Sequence, residues 1–121
     1  MGYRDLREFI AKLEEEGELH RIRREVDWYL ELGAIMRKVY EKNGPACLFE
    51  KVKDSHFPLL SGALFGYKKY GLAIGAPPDI RSILQKLLLG TKKPIPPILV
   101  SHAPCKENID TGNKKIGRAH V

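Results

Sequence analysis

Cysteine is scarce in this chain, with two residues among 121, and their spacing forms no recognisable pattern. A disulfide framework is thereby excluded, and two free thiols in a reducing compartment are expected. Long apolar runs are missing as well. No stretch approaches the ~20 residues of a membrane-spanning helix, so no membrane partner is implied. The segment Met1-Gly2-Tyr3-Arg4-Asp5 carries charge where a signal peptide needs an apolar core, which makes a cytoplasmic location the expectation. Internal repeats and low-complexity tracts are absent. So are the aromatic-interleaved basic motifs of nucleic-acid-binding modules, although the formal charge is +6. Setting aside Lys115 and Arg118 leaves 19 basic against 15 acidic residues, or +4, with the two signs interspersed. That pattern describes a solvated surface and points to no nucleic acid.

With 43% hydrophobic and 30% charged residues, the composition is that of one soluble globular domain. At this length about two thirds of the unfolded surface is buried on folding. Asp5 and Glu8 form a capping pair ahead of Leu6, Phe9, Ile10 and Leu13, which share a helical face, and Gly17 stops that helix. Leu19-His20-Arg21-Ile22 alternates as a half-buried strand. Asp27 is a second cap candidate, before the helical stripe Leu32, Ile35, Met36 and Val39. Gly44-Pro45 breaks that helix, and Ala46-Cys47-Leu48-Phe49-Glu50 follows as a buried strand. Residues 51–56 are polar and predict a loop. Leu59 to Leu64 predict a third strand, closed by a turn at Gly66. Tyr67 to Ile74 make two helical turns, interrupted by Gly71 and closed by Gly75. Asp79 caps a last helix, whose face of Ile80, Ile83, Leu84, Leu87 and Leu88 runs to Gly90. Four prolines between residues 94 and 104 enforce extended backbone, within which Ile98-Leu99-Val100 can form a short strand. Helices alternating with short buried strands predict an α/β fold, a mixed sheet covered by helices.

The ordered strings DLREFIAKLEEEGELHRIRREVD and GPACLFEKVK, then Pro58 to Gly66 and Leu72-Ala73-Ile74-Gly75, resemble the amino-terminal domain of the UbiD family of decarboxylases. The likeness runs from residue 3 to residue 110 in a single order. It implies an enzyme that removes carbon dioxide reversibly from an aromatic or α,β-unsaturated acid. It also implies prenylated FMN as cofactor, with a divalent metal (Mn or Mg) and potassium beside its phosphate. A flavin prenyltransferase would supply the cofactor, and the full-length enzyme would be a homo-oligomer. Family members keep their catalytic and cofactor-binding groups in a following domain. No catalytic, cofactor-binding or metal residue is therefore assigned in this chain, and the chain by itself is expected to be inactive.

The domain organisation expected on this basis is an amino-terminal α/β domain at 1–93 and a proline-rich exit at 94–114 leading toward a flavin-binding domain. Residues 115–121, Lys-Ile-Gly-Arg-Ala-His-Val, match one frame of a sequencing-adapter read-through and are expected to be a non-native tail. A natural basic terminus is the alternative. The competing functional class is a non-catalytic accessory or assembly subunit of an aromatic carboxylase. Whether the gene continues after Ile109 into a flavin domain separates the two.

Several residues invite a chemical role and are better explained otherwise. His102 and Cys105 have a metal-like spacing, but no second pair completes four ligands. His20 is expected on a strand surface, and His56 in a loop without a carboxylate to orient it. Gly62-Ala63-Leu64-Phe65-Gly66 has neither the order of a dinucleotide loop nor the lysine and hydroxyl of a P-loop, and is expected as a turn. Glu14-Glu15-Glu16 lies where a helix dipole disfavours anions, so solvation or a docking partner must offset it. Of Arg21, Arg23 and Arg24, at least one is expected to pair with Glu25 or with a helix carboxylate. Trp28 is a candidate interface anchor or core cover. Family members often carry a proline near this position, so the local helix start is where this chain departs from the pattern.

Overall fold

A computed structural model describes residues 2–104, together with 107 and 109. The elements run α1 (Leu6–Glu15), β1 (Leu19–Val26), α2 (Glu31–Glu41), β2 (Ala46–Val52), β3 (Leu59–Ser61), α3 (Tyr67–Ile74) and α4 (Ile80–Lys92). The sheet has the order β1-β2-β3. β1 and β2 are parallel and joined through α2, while β3 returns antiparallel to β2. This is the α/β architecture and mixed sheet that the sequence predicts.

The central strand β2 is buried along Ala46, Cys47, Leu48 and Phe49, so its two faces must both be covered. They are covered by different helices. Cys47 and Phe49 pack with Met36 and Val26 in a cluster that α2 completes through Leu32, Ile35 and Val39. Ala46 instead packs with Phe9 and Leu13 of α1, and with Leu72 and Ala73 of α3. The sheet is therefore sandwiched between α2 on one side and α1 with α3 on the other. Alternation along the strands sends neighbours to opposite sides, as with Leu59 in the first cluster and Leu60 in the second.

Asp5 caps α1 as expected, accepting from the Glu8 backbone N–H at 2.9 Å, while Glu8 reaches back to the N–H of Arg4 at 2.7 Å. The ends of α1, α2 and α3 are alike, with Gly17, Asn43 and Gly75 in the left-handed region. The next N–H in each case returns to the last turn: Glu18 to Leu13, Gly44 to Val39, and Ala76 to Gly71.

Several expectations need correction. Asp27 does not cap α2: its carboxylate accepts from Tyr29 N–H and Lys53, and the helix opens only after Leu30, whose φ of 63° is left-handed. Residues 51 and 52 are strand, because Val52 pairs with Val26 and is buried. β3 is three residues long, since the turn from Gly62 to Phe65 begins immediately after it. Gly71 does not interrupt α3. A Cβ there would meet the Ala76 carbonyl oxygen at 2.7 Å, so glycine allows the chain to fold back against the helix. Gly90 does not end α4, which continues to Lys92. Ile98-Leu99-Val100 forms no strand and is exposed. The expected tail at 115–121 lies outside the described residues.

Candidate functional site

Most of the charged residues in and around α1 and β1 are engaged in ion pairs.

 Of the 14 charged residues from Arg4 to Asp27, 11 take part in such pairs. Glu14 binds Arg21 at 2.6 Å, and Arg21 also reaches Glu50 at 3.2 Å. Hydrogen bonds from Arg21 hold the Glu14 carboxyl below its usual range. Lys12 bridges Glu15 and Glu16, each at 2.9 Å, so every carboxylate of the acidic cluster at the end of α1 has a cationic partner within the domain. Arg24 pairs with Glu31, and Arg23 lies 3.9 Å from Glu50. The arginines of β1 thus meet helix and strand carboxylates, not Glu25.

The residues weighed for chemistry are not brought together. His20, His56 and His102 are exposed, while Cys47 is buried, and burial pushes its thiol pKa up. A raised pKa suppresses the thiolate that a nucleophile requires. Cys105 lies outside the described residues. Among the described residues no three His, Cys, Asp or Glu side chains gather as metal ligands. Trp28 and Tyr29 stand edge-to-face at 5.9 Å and are 60% and 65% exposed, so Trp28 does not cover the core.

One buried ion pair escaped the sequence reading. Lys69 is buried in α3, 3.4 Å from Glu18 and 2.9 Å from the Gly44 carbonyl oxygen, and Lys68 meets the same carboxylate at 2.9 Å. Adjacent lysines give no periodic signal that one is inside, and only the turn placing Glu18 beneath α3 reveals it. The described residues do not fit a flavin phosphate here: Glu18 occupies both cations, and the Gly62–Gly66 turn carries neither a hydroxyl nor a cation.

What remains open is an apolar face. α4 packs on α3, and of its residues only Ile83 is buried. Leu84, Leu88 and Leu89 are 50%, 59% and 59% exposed. Beyond the helix Ile95, Ile98 and Leu99 are almost fully exposed. A capped, amphipathic helix whose outer leucines face water is suited to docking.

Fold and open face together define an α/β domain with an outer helix whose outward leucines are left exposed among the described residues. The profile described as 3-octaprenyl-4-hydroxybenzoate carboxy-lyase N-terminal domain matches residues 10–87, and the chain belongs to this UbiD amino-terminal domain family. Vanillic acid decarboxylase of Sedimentibacter hydroxybenzoicus is similar in its open form, in a structure with truncated ShVdcD.

 That match has a TM-score of 0.77 at 33% identity, over 92% of this chain and 25% of that chain. The closed form matches with a TM-score of 0.76 at 32% identity, over 89% of this chain and 24% of that one. The chain thus spans about a quarter of the length of the solved chains it matches. No helix among the described residues is long and apolar enough to cross a membrane.

Proposed function

We propose that this chain serves as the amino-terminal domain of a UbiD-like decarboxylase acting reversibly on an aromatic or α,β-unsaturated carboxylic acid. The observation that carries this reading is the family match over residues 10–87. The similarity to vanillic acid decarboxylase at 33% identity supports it.

In this role the domain supplies structure and a docking surface, and the reacting groups belong to the domain that follows. The outward leucines of α4 and the apolar residues of 95–99 are the surface on which that domain would sit. Prenylated FMN, with its divalent metal and potassium, would be held there and would supply the electron sink for decarboxylation. The contribution of this chain's own residues is rigidity. Lys69 and Glu18 fix α3, and α3 in turn carries α4.

The test is to express the coding sequence with its downstream continuation, alongside a flavin prenyltransferase, and to follow carbon dioxide release from a panel of aromatic and α,β-unsaturated acids. Turnover of a panel member supports the proposal. A folded, cofactor-loaded protein that neither decarboxylates the acids nor carboxylates their products overturns it.

A further inference from the structure

On the side of the sheet away from α1 and α3, the flank of α2 next to its core-facing stripe carries a groove of about 590 Å³. Its floor is apolar, made by Ala34, Ile35 and Val39 of the helix and by Pro45 from the turn that follows. The lining positions 31, 34, 35, 38, 39 and 42 repeat at helical spacing, so the groove follows the helix for three turns, or about 17 Å. The exposed Ala34 leaves room toward its Glu31 end. At the far end the Gly44 N–H bonds the Val39 carbonyl oxygen at 2.9 Å, which turns the chain back and brings Pro45 against the helix.

The charges at the two ends differ. Glu31 is engaged by Arg24 and by the Asp27 N–H, so its negative charge is satisfied within the domain. Lys38 and Lys42 stand one turn apart at the other end. Lys38 shares Glu41 with Arg37, and Lys42 has no ion-pair partner among the described residues. Lysines in a last turn complement the helix dipole, but the dipole requires no apolar trough beside them.

We infer that this groove docks an amphipathic helix of a partner protein, with the partner's apolar stripe along Ala34, Ile35 and Val39 and its carboxylates at Lys38 and Lys42. A trough three turns long and open along its length suits a helix, whose side chains enter at successive turns, better than a compact small molecule, which requires enclosure. The cationic end sets the direction of binding and selects against a basic helix. The site is separate from the α4 face and does not depend on the carboxy-lyase assignment, so either can fail alone.

Two synthetic helical peptides test it, both with a leucine stripe, one flanked at one end by glutamates and the other by lysines. Anisotropy titration of the 121-residue chain should show saturable binding of the glutamate peptide, weakened at about 0.5 M salt, and affinity for the lysine peptide lower by about tenfold or more. Lys38→Glu with Lys42→Glu, both exposed positions, should exchange the two preferences, and Ala34→Glu should abolish binding of the glutamate peptide. Leu88→Ser with Leu89→Ser should leave binding unchanged. Equal affinity for both peptides, no binding of either, an unchanged preference in the Lys38/Lys42 variant, or loss in the α4 variant would each overturn the inference. So would a preference for anionic phosphatidylglycerol vesicles over the glutamate peptide, abolished by the Lys38/Lys42 variant, since it would identify a lipid surface as the occupant.

Discussion

Lys69 and Glu18 join three segments that are distant in sequence. The ammonium lies 3.4 Å from the Glu18 carboxylate, in the turn before β1, and donates to the Gly44 carbonyl oxygen at 2.9 Å, just before β2. α3 is thereby fixed to the entry of both parallel strands. Removing Glu18 strands the buried ammonium with one neutral acceptor. Glu18→Ala should therefore lower stability by about 2 kcal/mol, somewhat less than for a fully enclosed pair because Glu18 keeps some exposure. Lys69→Met retains the volume, removes the charge, and should cost less. Urea melts of the two variants check the order, and a Glu18→Ala loss below about 0.5 kcal/mol would mean that Lys69 finds water instead.

Acid should weaken the fold through the same groups. Burial works against the charge on Glu18, but Lys68 and Lys69 together outweigh it and hold its carboxyl below the usual value. Glu16 is held down by Lys12, Asp27 by Lys53 and the Tyr29 N–H, and Asp79 by Ser82. A carboxyl whose folded pKa is depressed adds stability above its unfolded pKa and loses it as pH falls through the folded value. The urea midpoint should be level from about pH 5 to 8 as far as these carboxylates govern it, and should fall below about pH 4.5. Added salt should reduce the slope, because most of these pairs are exposed. A midpoint unchanged down to about pH 3 would mean that the pairs contribute nothing net.

Capping and apolar spacing made α1 legible in the sequence, because Asp5 and Glu8 act within four residues of each other. The strand β1 was harder to bound. A register shift between Ile22 and Glu25 breaks its alternation, and its outer residues are arginines that sit in ion pairs. α4 misled in the opposite direction: its leucines repeat like a core face, and periodicity records which residues share a face without recording whether anything covers it. Neither Lys69 nor the α2 groove was legible, since both depend on which turns the chain brings together.

Two glycines inside helices should respond with opposite signs. At Gly71 an added Cβ would lie 2.7 Å from the Ala76 carbonyl oxygen and 3.2 Å from that of Pro77, both backbone atoms that cannot step aside cheaply. Gly71→Ala should cost about 2 kcal/mol. Gly33, in α2, has nothing within 4 Å of the corresponding position and an ordinary helical backbone, so Gly33→Ala should stabilise by about 0.5 to 1 kcal/mol. Thermal melts of both variants decide; stabilisation by Gly71→Ala as well would show that the fold-back after α3 is loose.

The last expectation separates the packed core from the open face. Phe9 is buried beside Tyr3, with ring centroids 5.0 Å apart, and Phe9→Ala should destabilise by about 3 kcal/mol. Leu84 belongs to an equally apolar run but is half exposed, so the loss for Leu84→Ala should stay below about 1 kcal/mol. The same exposure makes α4 and the segment after it the expected source of self-association. Leu88→Ser with Leu89→Ser should reduce light scattering and binding of an apolar dye while leaving the helical circular dichroism unchanged. Deleting residues 94–121 should do likewise, since Ile95, Ile98 and Leu99 touch water and pair with no strand. A collapse of helicity on that deletion, or a Leu84→Ala loss as large as that of Phe9→Ala, would place the exit segment or α4 within the core and refute the open face.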